Sequence, residues 1–69
     1  PNPAYGNEVY ISTETNGTKE IRIYDVFGEV VLTERISTNT LDISRLVPGV
    51  YVLQVTEQKK TMTRKLVVK

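Results

Sequence analysis

Apolar residues in this 69-residue chain return at every second position, in runs of about six broken by turn-forming residues, and that spacing commits the chain to strands. Val9 and Ile11 alternate with Tyr10 and Ser12 over residues 8–13, and Ile21 and Ile23 alternate with Arg22 and Tyr24 over residues 20–24. A third run, residues 30–36, puts Val30, Leu32 and Ile36 on the parity of Glu34, with Val31, Thr33 and Arg35 opposite. Residues 40–43 supply a short strand through Leu41 and Ile43. Residues 50–56 are the most apolar run, with Tyr51, Leu53 and Val55 on one face and Val50 and Val52 on the other. The last, residues 61–68, sets Met62, Leu66 and Val68 against Thr61, Thr63, Lys65 and Val67. Composition agrees: Val, Ile, Thr, Tyr and Phe make up 29 residues, against one Ala, and those side chains fit a pleated, half-buried surface.

The turns carry their own chemistry. Asn16-Gly17 tolerates the positive φ of a tight hairpin, so strands one and two are expected to pair as an antiparallel hairpin. The same residues with Thr18 match an N-glycosylation acceptor, and the turn is the favoured reading. Asp25-Val26-Phe27-Gly28 makes the next reversal, and residues 57–60 turn the fifth strand into the sixth. Ser44 is placed to cap one helical or 3₁₀ turn that Pro48-Gly49 stops. Strands at this spacing predict an all-β fold: a small, immunoglobulin-like antiparallel β-sandwich of about six to seven strands. Residues 1–69 are expected to form one domain, with residues 1–7, which hold Pro1 and Pro3, as a linker-like lead-in. Val9, Ile11, Ile21, Ile23, Leu32, Leu41, Ile43, Leu53, Val55 and Leu66 are the expected core.

Several function classes are disfavoured at once. The chain has no cysteine and no histidine, so it lacks disulfides, Cys/His zinc cages and the usual general base. Its eight carboxylates are scattered rather than clustered as calcium loops require, and no catalytic residue, metal or cofactor is expected. A serine nucleophile would need a lysine base in a pocket that so small a chain can hardly build. The formal charge of +1 is too small for a dedicated nucleic-acid binder, and four tyrosines and one phenylalanine read as packing rather than a base-stacking platform. No run reaches the length needed to span a bilayer, so no direct membrane insertion is expected, and any export signal is expected upstream on a longer precursor. Residues 59–69 hold five of the nine basic side chains, which suits a solvated edge strand guarded by lysines.

Four segments, in order, resemble the C-terminal sorting domain of the type IX (Por) secretion system. Pro1-Asn2-Pro3-Ala4 resembles the family's opening PNPA, and Ile21-Arg22-Ile23-Tyr24-Asp25 with Gly28-Glu29-Val30-Val31 resembles its first hairpin. Leu41-Asp42-Ile43-Ser44-Arg45-Leu46 followed by Pro48-Gly49-Val50-Tyr51-Val52-Leu53 resembles its central block, with Val47-Pro48 a mild variant of the usual spacer. Thr63-Arg64-Lys65-Leu66-Val67-Val68-Lys69 resembles its closing strand.

The resemblance implies a non-catalytic signal that follows an upstream cargo domain in the same precursor. It implies transit through the periplasm to an outer-membrane translocon, then removal by a cell-surface sortase that leaves the cargo at the cell surface or outside the cell. Gly49, Tyr51, Lys65, Leu66, Val67, Val68 and Lys69 are the recognition residues it points to. A fold does not identify a function by itself, and the competing expectation is an accessory structural or carbohydrate-binding β-sandwich module of an extracellular enzyme or adhesin.

Overall fold

The computed structural model describes residues 8–15 and 17–69, which form six strands and no helix. They are β1 (Glu8–Tyr10), β2 (Lys19–Tyr24), β3 (Val30–Ile36), β4 (Thr40–Asp42), β5 (Gly49–Glu57) and β6 (Lys60–Val68). All pairings are antiparallel, in a four-stranded sheet of order β3-β2-β5-β6 and a two-stranded sheet of order β1-β4. The inward faces of both sheets meet in one core, as alternation requires when each strand has one apolar face to cover. All ten expected core residues are buried in it, joined by Ile36, Tyr51 and Val68.

β1 and β2 do not form the hairpin expected at Asn16-Gly17. β1 pairs with β4 and β2 pairs with β3 and β5, so the two strands belong to different sheets. Asn16 itself lies outside the described residues. Gly17 serves a different need: a Cβ there would stand 2.8 Å from Glu57 Oε2, so the missing side chain admits the carboxylate. The N–H of Ile11 donates to Asn39 O at 2.6 Å, holding the departing chain beside β4.

Other turns follow local chemistry. Asp25 organises the β2–β3 turn: its Oδ1 accepts from the N–H groups of Phe27 (2.9 Å) and Glu29 (3.0 Å), an Asx-type arrangement. Gly28 completes it at φ 87°, where a side chain would be strained. Ser44 does not cap a helix. Asp42 Oδ1 accepts its N–H at 2.9 Å, and Leu46 N–H closes a single turn on Ile43 O at 3.0 Å. Gln58 and Lys59 join β5 to β6 with φ of 50° and 68°, the sign that a two-residue primed hairpin turn demands.

The registers explain an exposure that parity does not. Ile23 pairs with Leu32 but Tyr24 pairs with Val30, so a bulge at Val31 throws Val30 out of step with Leu32. Leu32 is buried, and Val30 is half in solvent. The smaller sheet leaves part of β6 uncovered, and a groove of about 540 Å³ runs between Tyr10–Ser12 and the inward face at Leu53, Met62 and Arg64.

Candidate recognition surface

The seven residues singled out in the sequence come together at one corner of the four-stranded sheet. The short turn at Gln58-Lys59 sets Glu57 opposite Lys60, and counting outward along the ladder pairs Val52 with Lys65, Tyr51 with Leu66, Val50 with Val67 and Gly49 with Val68. Lys69 follows directly. Two segments far apart in sequence thus become one patch.

Within it the roles divide by face. Tyr51, Leu66 and Val68 are buried, so their side chains act by holding the corner in shape. The Tyr51 hydroxyl donates to Val47 O at 2.5 Å, tying the start of β5 to the segment before it, as a buried tyrosine with one wet end does. Lys65 and Lys69 are exposed and Val67 is half-buried. Gly49 does not supply a reversal: its φ is not positive, and a Cβ would meet the Tyr51 ring at an ordinary 3.8 Å.

The outer face continues the patch across the sheet. Because Tyr24 pairs with both Val30 and Val52, and Val52 pairs with Lys65, those four residues form one cross-strand row, with Val50 and Val67 beside it. The β2–β3 turn leaves the sheet at this same end. Of the eight large apolar side chains exposed among the described residues, Val30, Val50 and Val52 lie on this face, and Val26, Phe27 and Val31 lie in or next to the β2–β3 turn at the same end. Nearby, the N–H of Ser44, then its side chain and the charge of Arg45, hold the Asp42 carboxyl below its ordinary range.

The opposite end is polar. Lys19 is fully buried, and its ammonium donates to Gly17 O (3.0 Å), Asn39 Oδ1 (3.1 Å) and Thr38 O (3.4 Å). Glu57, 8% exposed, accepts from the Thr13 and Thr15 hydroxyls and from Gly17 N–H. The Thr13 and Thr15 bonds lead in lowering its pKa, with help from Gly17 and the charge of Lys19 and against the effect of burial. Neither is among the expected core residues, and Glu57 ends β5 rather than lying in the turn expected over residues 57–60. Lys19 shares the parity of Ile21 and Ile23, and Glu57 that of Tyr51, Leu53 and Val55, so alternation carried one strand further predicts both as inward.

The candidate residues of this all-β module thus lie on one lysine-flanked corner of the four-stranded sheet. Residues 1–69 match the sequence model of the family described as secretion system C-terminal sorting domain, and the chain belongs to that family. It is a sorting signal of type IX secretion, a role that entails export to the cell surface or extracellular space, machinery to engage and a cargo precursor to carry. No curated protein matches the chain.

Proposed function

We propose that the β5–β6 corner is the part of this sorting signal that the outer-membrane translocon reads after the cargo has crossed into the periplasm, and that a cell-surface sortase then removes the domain. The reading is non-catalytic. Lys65 and Lys69 supply charge, and the ladder from Gly49↔Val68 to Tyr51↔Leu66 supplies a fixed backbone edge on which to present it. The observation that carries the reading is that the closing segment, matched as part of the family, lies beside Gly49–Tyr51 and is buried on one face only. A strand with one face in the core and one free offers backbone and alternate side chains to a partner at little ordering cost.

The test is deletion of Val67–Lys69 from a cargo fusion, with cell fractionation and thermal melts of the chain run together. The truncated fusion is expected to stay in the periplasm, while the core from Val9 to Val55 still melts cooperatively, since of the buried apolar residues only Val68 is removed. Normal surface delivery of the truncated fusion would remove the closing strand from the signal.

A further inference from the structure

We propose that the apolar end of the four-stranded sheet is a docking face for a folded protein, with Phe27 as the anchor that enters an apolar pocket on that partner and with a carboxylate on the partner meeting Lys65. The proposal rests on the sorting reading above and names a surface and an anchor that reading does not contain.

Phe27 is 85% exposed at the tip of the β2–β3 turn. A ring that open gains nothing from the fold that carries it, yet the turn is built to hold it out. Asp25 Oδ1 ties down the Phe27 and Glu29 amides, Gly28 N–H donates to Asp25 O at 3.1 Å, and Asp25 N–H donates to Glu29 O at 2.9 Å. A pre-organised aromatic knob binds without paying for loop ordering, and buried aromatic anchors dominate protein interfaces. Behind it, Val30, Tyr24 and Val52 form a continuous row that ends at Lys65. Small soluble domains seldom gather their exposed apolar side chains in one place unless something covers them.

Charge selects the occupant. Asp25 and Glu29 flank the ring on the turn side, and Lys65 bounds the row on the β6 side, so the face is acidic at one margin and basic at the other. An anionic bilayer would repel both carboxylates as the ring inserted. A protein surface can match both margins at once.

The experiment fuses a reporter that carries its own signal for export to the periplasm to the 69-residue chain, in a host with the type IX apparatus, and compares wild type, Phe27→Ala, Phe27→Leu and Tyr10→Ala by the fraction delivered to the surface. Phe27→Ala is expected to lower delivery at least about tenfold, as loss of an interface hot spot does. Phe27→Leu should keep most of it, Tyr10→Ala should match wild type, and all four chains should melt alike. Equal delivery of wild type and Phe27→Ala overturns the proposal and leaves the sorting reading intact, whereas a wild-type fusion that stays inside the cell overturns the sorting reading and this proposal with it. Two further outcomes would also overturn it: Phe27-dependent co-sedimentation of the chain with phospholipid vesicles, neutral or mixed with anionic lipid, which assigns the face to a membrane, and a Phe27-dependent dimer in sedimentation velocity, which assigns it to a second copy.

Discussion

The two ends of the four-stranded sheet are made from the same alternating strands and finish in opposite ways. At the β5–β6 hairpin the inward rows close on charge: Lys19 and Glu57 lie buried, their polar atoms held by Thr13, Thr15, Gly17, Thr38 and Asn39. At the β2–β3 turn the inward rows close on Tyr51 and Leu66, while apolar side chains spill over the outer face instead. Buried polar groups that are fully satisfied specify one arrangement and offer little to a partner. Exposed apolar groups do the reverse. On the proposed reading, the polar end holds the fold and the apolar end is the part that is read.

That assignment can be broken first in the middle of β5. Leu53→Ala truncates a buried side chain between the two ends and is expected to cost about 2–5 kcal/mol, with both ends lost in a single denaturation transition. Two separate transitions would show that the ends fold independently. Tyr51→Phe removes one hydroxyl from the apolar end and should cost about 0.5–1.5 kcal/mol by chemical denaturation, with surface delivery retained because the ladder survives. Lost delivery at unchanged stability would instead make Tyr51 a direct contact.

Acid sharpens the contrast more gently. Because hydrogen bonding lowers the Glu57 pKa from its ordinary 4.5, its stabilising effect is fully present above that unfolded-state value and is lost as pH falls through the lower folded-state value. Melting temperature should therefore decline as the solution is acidified below the ordinary glutamate range, and Glu57→Gln should flatten that decline. Asp42, lowered chiefly by the Ser44 amide, contributes in the same direction from the other end. A Glu57→Gln chain with an unaltered acid profile would show that the polar end is held by other contacts.

Much of this was legible in the chain. Period-two alternation identifies which side chains turn inward, and Val9, Ile11, Leu41 and Leu53 lie where it puts them. It does not say which strand is the neighbour. Asn16-Gly17 carries a strong local hairpin signal, but β1 pairs with β4, and the space at Gly17 is taken by the Glu57 carboxylate from a distant strand. The bulge at Val31 was invisible for a similar reason, since it is a property of pairing and not of either strand. In the candidate site, the ladder from Gly49 to Val68 follows from counting outward from a two-residue turn, so it was within reach of the sequence. The exposed apolar end was not, because a valine in the core and one on an outer face look alike until the second sheet is placed over one of them.

The most direct measurement reverses charge at the end proposed to be read, without touching the core. A cargo fusion carrying Lys65→Glu and Lys69→Glu, both exposed positions, is compared with wild type for surface delivery, and the two chains are melted in parallel. Delivery is expected to fall to a small fraction of wild type while stability stays within about 0.5 kcal/mol, as for other surface substitutions. Full delivery of the charge-reversed fusion at unchanged stability would contradict the claim that this end of the sheet is the part the secretion machinery reads.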